Sequence, residues 1–461
     1  MKLSKNIIGS KEFYSKVVAI TVPIIVQNAV THIVNLLDNV MVGRIGTLEM
    51  SAVAIVNQLL FVFSLCIFGG MAGVGIFSTQ YAGAKDNDGI RYCFRAKLVM
   101  GFILLLLAAI VFLIFPKQLI SMYLAENTAA EEANATISFA LSYLKIMLIG
   151  LVPFTVSQIY ASTLRETGET KLPMIASVAA IFVNVVFNYF LIFGKFGFPK
   201  LGVAGAAIAT SLSRFVEAAI LIISVRLKRE KYPFMKGAVS SLYVPKQLTL
   251  GVITRGLPLL VNEALWSLGM ATLLQCYSVR GLQVVAAANI ANTANTLFSV
   301  VYLSMGTAIA IVVGQNLGAN EIEEANQNAW RLIILSVLTC AVMGTLLALL
   351  SPYIPLMYNT EQEVRILAKS FLYVVAAVMP IEAFAHACYF TIRSGGRTGI
   401  TFAFDSMFTW LVSVPAAIIL ANFTKVPIVP IFLIIKSLEF IKCLVGGIMV
   451  KKRIWIKNII E

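Results

Sequence analysis

The sequence predicts an all-α polytopic membrane protein with twelve transmembrane helices, arranged as two six-helix lobes related by a pseudo-twofold axis around a central cavity. Three observations predict this class: an apolar composition, apolar segments of membrane-spanning length along the whole chain, and an internal repeat. Of the 461 residues, 59% are hydrophobic and 13% are charged, whereas a soluble domain has about 25% charged residues. The mean hydropathy is +0.88, which excludes an ordinary soluble protein.

The apolar segments each contain about 20 or more residues, enough for a helix to cross a hydrocarbon core of about 30 Å. Lipid offers no hydrogen bonds to the backbone, so helices are the expected form of each crossing. The twelve predicted segments, numbered 1 to 12, begin near Val17, Met50, Lys97, Ile137, Lys171, Leu201, Leu250, Val284, Trp330, Ala368, Gly399 and Pro427.

The basic residues between these segments predict the orientation of the chain. Lys and Arg are concentrated at the two termini and in the even-numbered loops, and such residues mark the cytoplasmic side. This set includes Lys2, Lys5, Lys11, Lys16, Lys85, Arg91, Arg95, Lys97, Arg226, Lys228, Arg229, Lys231, Lys236, Lys246, Lys451, Lys452, Arg453 and Lys457. We therefore expect a multi-pass protein of the cytoplasmic membrane with both termini in the cytoplasm. The formal net charge of +14 then requires no nucleic-acid partner.

An internal repeat divides the chain into two halves. An offset of 235 residues aligns Pro23 with Pro258, Gly46 with Gly281, Asn57 with Asn292, and Gln80-x-x-Gly83-Ala84 with Gln315-x-x-Gly318-Ala319. At an offset of 228, Arg165-x-x-Gly168-x-Thr170 meets Arg393-x-x-Gly396-x-Thr398. A collinear set of matches indicates duplication. The predicted domains are an N-lobe of residues 1–225, a cytoplasmic linker of residues 226–246 and a C-lobe of residues 247–461.

Six crossings in each half return the chain to the same side, so the repeats are parallel. Transporters built from parallel repeats have an axis along the membrane normal and a binding cavity between their halves. Alternating access occurs in them by movement of one half against the other. Transport is therefore the function that the repeat favours.

Four polar residues of the first half are predicted to lie at similar depth in the membrane. Asp38 lies in segment 1, Asn184 and Asn188 lie one turn apart in segment 5, and Thr210 lies in segment 6. Their oxygens suit Na⁺, with Asp38, Asn184 and Asn188 as ligands, or they stabilise a proton on Asp38. The alternative is an aspartate hydrated at the outer interface and asparagines that link helices.

The second half has acidic residues at mid-membrane depth. Glu263 precedes Trp266 in segment 7, and Glu382 in segment 10 has His386 one turn away on the same face. Ionisable residues at this depth usually line a cavity or a proton path. We expect these four residues to form a substrate cavity for cations or a second coupling site, although a buried Glu can also be a satisfied hydrogen-bonding residue.

Other classes of protein lack support in the sequence. No Gly-x-x-x-x-Gly-Lys-Ser/Thr motif is present, so ATP-driven transport by this chain is not expected. The six cysteines have no metal-ligand spacing. Only two histidines, His32 and His386, occur in the chain, and a membrane enzyme would need a catalytic cluster. We expect neither an enzyme nor a bound cofactor.

Five motifs make the chain resemble the multidrug and toxic compound extrusion (MATE) family over essentially its full length. They are Asp38-Asn39-Val40-Met41-Val42-Gly43-Arg44-Ile45-Gly46, Gln80-Tyr81-Ala82-Gly83-Ala84, Arg165-Glu166-Thr167-Gly168-Glu169-Thr170, Gly202-Val203-Ala204-Gly205-Ala206-Ala207-Ile208-Ala209-Thr210, and Gly314-Gln315-Asn316-Leu317-Gly318-Ala319. The resemblance implies a monomeric twelve-helix antiporter that exports organic cations or other amphipathic compounds in exchange for Na⁺ or H⁺.

The resemblance also implies roles for particular residues. In similar proteins the acid of the first helix, here Asp38, couples transport to the ion, with polar residues that match Asn184, Asn188 and Thr210. Many of these proteins have Asp where this chain has Asn188, so one carboxylate is missing here. Acids of other branches match Glu382 well and Glu263 loosely. The alternative is a lipid-linked saccharide flippase of the same superfamily, which would need a strongly cationic cavity.

Overall fold

The computed structural model describes residues 9–124 and 129–460, and those residues form helices and turns without a β-strand. Eleven helices in this part of the chain are long and apolar enough to cross a membrane, and two shorter consecutive helices after them are together named α12. They are α1 (Lys11–Gly43), α2 (Thr47–Gly83), α3 (Asn87–Ile114), α4 (Ala130–Glu166), α5 (Lys171–Phe193), α6 (Val203–Leu227), α7 (Lys246–Ser278), α8 (Leu282–Gly318), α9 (Ile322–Leu350), α10 (Gln362–Ser394), α11 (Thr398–Phe423) and α12, which consists of Ile428–Ser437 and Glu439–Lys451.

The predicted fold class is confirmed, since each predicted segment lies within one of these helices. The helices extend beyond the apolar segments: α1 begins at Lys11, before the first apolar run, and α2 continues to Gly83. Two helices of the second half are irregular. Two π-helical stretches, Ala403–Met407 and Thr409–Ser413, interrupt α11, and a turn at Leu438 divides α12.

The internal repeat is visible in the bounds of the helices. Both α1 and α7 contain 33 residues, and each end of α7 lies 235 residues after the corresponding end of α1. Both α2 and α8 contain 37 residues, and their ends have the same offset. The duplication has therefore preserved the backbone of these helices.

The helices pack into two compact units. The N-unit contains residues 26–78, 86–124 and 129–251, and the C-unit contains residues 9–25, 79–85 and 252–460. The N-unit thus has α1 from residue 26 onward and α2 up to residue 78, together with α3 to α6 and the first residues of α7. The predicted lobe boundaries at residues 225 and 247 stay predictions.

The ends of α2 and α8 cross closely within the C-unit. A Cβ atom at Gly83 would overlap the backbone of Gln315, and one at Gly318 would overlap the backbone of Gln80. Glycine is required at both positions because the two backbones touch. This reciprocal crossing explains the repeated Gln-x-x-Gly-Ala motif.

The segment between α6 and α7 is docked on the N-unit. The Arg95 guanidinium of α3 donates hydrogen bonds to the backbone carbonyls of Gly237 at 2.8 Å and Ala238 at 3.1 Å. Lys231 forms an ion pair with Glu169. Burial alone would raise the pKa of the Glu169 carboxyl, but its hydrogen bond with Lys231 and the Lys231 charge lower that pKa below its usual value.

A second ion pair, between α3 and α4, is fully buried in the N-unit. Lys97 Nζ lies 2.5 Å from Glu166 Oε2 and also donates to the hydroxyls of Ser162 at 3.0 Å and Thr163 at 3.2 Å. The Lys97 side chain is 0% exposed. Such a pair is strongly destabilising when one member is removed, because the other charge stays buried.

We predict that Lys97→Met lowers the free energy of unfolding by about 3–5 kcal/mol, because the Glu166 carboxylate keeps its burial and loses its cation. The matched control is Lys231→Met in the exposed pair with Glu169, where the expected loss is about 0–1 kcal/mol. Unfolding of the detergent-solubilised protein, followed by circular dichroism, compares the two. Equal losses for both variants would contradict the assignment of Lys97 as a buried structural cation.

Candidate functional site

The structure brings together the four polar residues predicted in the first half. Asn188 Nδ2 of α5 donates to Asp38 Oδ1 of α1 at 2.6 Å and to Asn184 Oδ1 at 3.2 Å. Asn184 Nδ2 donates to Thr210 Oγ1 of α6 at 3.2 Å. With the Asn184 amide turned over, its nitrogen lies 2.9 Å from Asp38 Oδ1 and its oxygen accepts from Thr210, so both amides face the carboxylate with their nitrogens.

Local sequence explains why α5 and α6 approach closely enough for these bonds. Asn184 and Asn188 are four residues apart, so they lie on one face of α5. A Cβ atom at Gly205 of α6 would come within 2.6 Å of the Leu191 carbonyl oxygen of α5. The small residues at the start of α6 therefore serve helix packing, as their sequence suggests.

A cavity of about 460 Å³ in the N-unit contains this site. Asp38, Asn188 and Thr210 line it, together with other polar residues, three of which surround the site from α2, α4 and α6 and were not predicted as site residues. These are Asn57 of α2, Tyr143 of α4 and Arg214 of α6. The Tyr143 hydroxyl donates to Asn57 Oδ1 at 3.3 Å. Only their positions around Asp38 identify them, because none belongs to a recognisable motif.

A chain of hydrogen bonds leads away from the cavity through Arg214. Arg214 Nη1 lies 3.3 Å from Glu217 Oε2, as their spacing on α6 predicts. Glu217 Oε1 accepts from the Ser177 hydroxyl at 2.5 Å, and that hydroxyl accepts from Gln27 Nε2 at 2.7 Å. Arg165 Nη1 then donates to Gln27 Oε1 at 3.3 Å. The arginine of the Arg-x-x-Gly-x-Thr motif therefore binds a side chain of α1, whereas its position at a helix end suggested a phosphate-facing group.

The C-unit contains a cluster of paired charges around a cavity of about 80 Å³. Lys436 Nζ of α12 lies 2.7 Å from Glu382 Oε1 of α10. Glu439 lies three residues after Lys436 on α12, but the Lys436 ammonium pairs with Glu382, because α10 presents that carboxylate to it. Glu439 pairs instead with Lys442 at 2.9 Å. Trp266 of α7 and these four charged residues line the cavity.

Asn262 of α7 organises the neighbouring part of the C-unit. It is 2% exposed, donates to Asp405 Oδ2 at 3.1 Å, and accepts from the Ser406 hydroxyl at 2.6 Å. Lys442 Nζ lies 3.2 Å from Asp405 Oδ1. Asp405 was expected at the end of a helix, but it lies within α11 at the first π-helical stretch. Such stretches often mark functional sites.

Glu263 and His386 lie outside the lining of this cavity. Glu263 is mostly buried and interacts electrostatically with Arg393 and Asp405. The His386 ring packs edge-on against the ring of Tyr302 at a centroid distance of 5.0 Å. The structure therefore places Trp266 and Glu382 together and positions Glu263 and His386 against other partners. The roles predicted for these four residues stay predictions.

The two cavities occupy equivalent positions in the two repeats. Asn57 and Asn292 correspond at the offset of 235, and each lines the cavity of its own unit. Val42 and Tyr277 correspond in the same way at that offset. The acids do not correspond: Asp38 aligns with Leu273, and Glu382 aligns with Phe154. Each unit has thus placed its acidic residue on a different helix.

Metal binding by clustered side chains has no support in the described residues, which contain no group of three or more His, Cys, Asp and Glu side chains able to hold a metal. The oxygens near Asp38 are mainly amide and hydroxyl oxygens. Asn188 Oδ1 is buried and has no hydrogen-bond partner within the described chain. A buried acceptor of this kind calls for an explanation, such as a donor that is present in another state.

The described residues form eleven apolar helices of membrane-spanning length and the divided α12 in a duplicated arrangement, with a half-buried carboxylate in a cavity, and these features define a polytopic membrane transporter. Comparison with known proteins agrees with this class. The MatE family model matches residues 23–190 and 258–420, so the chain belongs to the MatE family and is a MATE efflux transporter, not an enzyme. The two matches begin 235 residues apart, at the offset of the internal repeat.

Relatives and solved structures extend the match over nearly the whole chain. Probable multidrug resistance protein YoeA of Bacillus subtilis is 27% identical over 415 residues, which cover 89% of this chain and 88% of that protein. Probable multidrug resistance protein NorM of Thermotoga maritima is 23% identical over 415 residues, with 89% and 86% covered. An outward-facing multidrug resistance MATE family transporter of the MOP superfamily superposes with a TM-score of 0.86, 20% identity and 98% coverage of both chains.

We predict that Asn188→Asp makes residues 38 and 188 share one proton, because two carboxylates at hydrogen-bonding distance cannot both ionise. The variant minus wild-type infrared spectrum should then show an additional protonated carboxyl band at neutral pH. The double variant Asn188→Asp with Asp38→Asn is the control and should lack the band. An identical band in the double variant would show that the two side chains do not share a proton.

Proposed function

We propose that this MATE transporter is a secondary active antiporter, which exports organic cations or amphipathic drugs or metabolites in exchange for H⁺ or Na⁺. The export occurs by alternating access between the two lobes. The observation that carries the proposal is the half-buried Asp38 carboxylate, which faces two amides in a cavity large enough to admit water. The names of the relatives as multidrug resistance proteins support the class of substrate.

The coupling role of Asp38 follows from the cost of its charge. A carboxylate within a transmembrane helix is unfavourable by about 2.5–3.5 kcal/mol, so ion or proton binding at Asp38 changes the energy of the site substantially. Asn188 donates a hydrogen bond to the carboxylate, and Asn184 and Thr210 hold the asparagines in place through their own hydrogen bonds. This support makes Asp38 able to bind an ion in one state of the transporter and to release it in the other.

The second cavity is proposed as a substrate-binding or second coupling site. Glu382 and Trp266 line it, and an aromatic side chain beside an acid is suited to organic cations. Lys436 balances the charge of Glu382 at 2.7 Å, so a cationic substrate would compete with a lysine for the carboxylate. We assign Glu263 and His386 supporting roles near this site.

The alternative of a lipid-linked saccharide flippase is less well supported. Such a protein needs a strongly cationic cavity to hold a phosphate-linked lipid. The charged residues that line the second cavity are two acids, Glu382 and Glu439, and two bases, Lys436 and Lys442. Their charges balance, and an organic cation is the better match for a site with an unpaired hydrogen-bond acceptor at Glu382 Oε2.

The bacterial relatives also support a location in the plasma membrane. We propose that the protein acts there as a monomer, with both termini in the cytoplasm, as the distribution of basic residues favours. In this orientation an inward flux of ions down their electrochemical gradient supplies the free energy for export.

We predict that Asp38→Asn abolishes export driven by an ion gradient, because the amide neither ionises nor binds a proton. Purified protein in liposomes is loaded with ethidium, a fluorescent organic cation, and export is measured under a pH gradient or a Na⁺ gradient applied separately. The control is Asp88→Asn, which changes an acid with a 68% exposed side chain at the start of α3 and should export normally.

Glu263→Gln and Glu382→Gln test the second unit in the same assay. The Glu382 variant is combined with Lys436→Met, because a lone buried lysine would destabilise the protein. Loss of ethidium binding with retained proton exchange would identify a substrate site. Full gradient-driven export by Asp38→Asn would refute the proposed coupling residue, and normal export by the Glu variants would remove the second unit from the proposal.

A further inference from the structure

Arg214 has a position in the Asp38 cavity that its ion pair with Glu217 does not explain. The pair uses one nitrogen, Nη1, at 3.3 Å, and the side chain remains 34% exposed to the cavity side. An arginine offers five N–H donors in a planar fork. The guanidinium also lies over the Phe154 ring at 5.2 Å, and it interacts electrostatically with Asp38.

Glu217 keeps a hydrogen bond when Arg214 moves. Its side chain is 3% exposed, and its other oxygen accepts from Ser177 at 2.5 Å. Ser177 is in turn held by Gln27 at 2.7 Å. The carboxylate of Glu217 is therefore stabilised from α5, so that the Arg214 guanidinium can turn toward the cavity without leaving Glu217 unbonded.

The charges in the cavity are nearly balanced. Asp38 and Arg214 are the charged side chains that line it, and Tyr143 is the other titratable one. With Asp38 ionised, their sum is zero. In the C-unit, Lys442 is likewise placed next to carboxylates, those of Asp405 and Glu439. Each unit therefore has a cation from the sixth helix of its repeat at the cavity.

We propose that Arg214 is a positioning residue that competes with the coupling ion for Asp38, and that this ion is a proton. The inference rests on the proposed antiport function and names its coupling ion. When Asp38 is ionised, the guanidinium is shared between Asp38 and Glu217. When a proton from water on the open side bonds to an Asp38 oxygen, the carboxyl becomes neutral and the guanidinium returns to Glu217.

Proton release reverses these steps. The O–H bond of Asp38 breaks, the proton passes to water on the opposite side, and the guanidinium again balances the carboxylate. Arg214 thus lowers the cost of the ionised state, because it adds a positive charge to the amides and hydroxyls near the carboxylate. The guanidinium is also linked to α5 and α1, because Glu217 is hydrogen-bonded to Ser177 of α5, which is hydrogen-bonded to Gln27 of α1.

The ligands around Asp38 favour a proton over Na⁺. A hard cation needs several oxygen ligands at once and binds more tightly as their negative charge increases. Here the amides direct nitrogens to the carboxylate, and Arg214 cancels its charge. A proton needs one oxygen only. The Asn188 amide, 2.6 Å from Asp38, donates to the carboxylate, and after rotation its unpaired Oδ1 accepts from the protonated carboxyl.

The test is the pH dependence of ethidium export from liposomes, measured with a constant pH difference across the membrane. Arg214→Gln removes the competitor, so Asp38 retains its proton to higher pH, and the midpoint of the profile should rise by about one unit. Arg214→Lys should keep the wild-type midpoint. Glu217→Gln releases the guanidinium toward Asp38 and should shift the midpoint in the opposite direction.

The double variant Arg214→Gln with Glu217→Gln removes both members of the pair and therefore leaves no uncompensated buried charge. It should reproduce the upward shift, so the proposal remains testable if the single variant fails to fold. A lower rate with an unchanged midpoint in the Arg214 variants would reduce Arg214 to a structural residue. Export by the wild type under a Na⁺ gradient alone would refute the proposal that the coupling ion is a proton.

These results are distinguishable from a failure of the proposed function. If Asp38→Asn exports normally under a pH gradient, Asp38 is not the coupling residue, whatever the Arg214 variants show. If Asp38→Asn is inactive and Arg214→Gln leaves the midpoint unchanged, coupling at Asp38 is retained and the competition by Arg214 is refuted. If the pH profile of export by Arg214→Gln shows the predicted shift, the result supports both coupling at Asp38 and competition by Arg214.

Discussion

A charge buried among membrane helices needs a partner at hydrogen-bonding distance, since neither water nor lipid supplies one. The helix packing of this transporter satisfies that requirement repeatedly. Lys97 meets Glu166 between α3 and α4, Lys436 meets Glu382 between α12 and α10, and Lys442 meets Asp405. Asp38 differs from these carboxylates, because an amide meets it at 2.6 Å and Arg214, which lines the same cavity, is bound to Glu217. The family resemblance assigns coupling to this residue.

The repeat shows how chemistry diverged on a preserved backbone. The bounds of α1 and α7, and those of α2 and α8, agree exactly at one offset. The cavities also occur at equivalent positions, yet Asp38 corresponds to Leu273 and Glu382 to Phe154. Substitution of a few side chains was therefore enough to give the two units different electrostatics. The shared features are an asparagine from the second helix and a cation from the last helix of each repeat.

Much of the fold could be predicted from the sequence because apolar segment length and the repeat depend on the chain alone. The group of Asp38, Asn188 and Asn184 was also predictable, since depth and helical spacing bring them together. The position of Arg214 in the cavity could not be predicted, because it depends on the rotation of α6 about its own axis. Lys436 illustrates the same limit: helical spacing favours Glu439, but the packing of α10 brings Glu382 within 2.7 Å. Asn262 and Asp405 were missed because π-helical turns change which residues share a face.

The charges of α12 have a consequence for the biosynthesis of the protein. Lys436, Glu439 and Lys442 lie within seven residues of one another, and each charged side chain opposes entry of a helix into the bilayer by about 2.5–3.5 kcal/mol. Their partners Glu382 and Asp405 belong to helices that the ribosome completes earlier. Insertion of α12 into the membrane therefore depends on α10 and α11, whose acids balance its lysines.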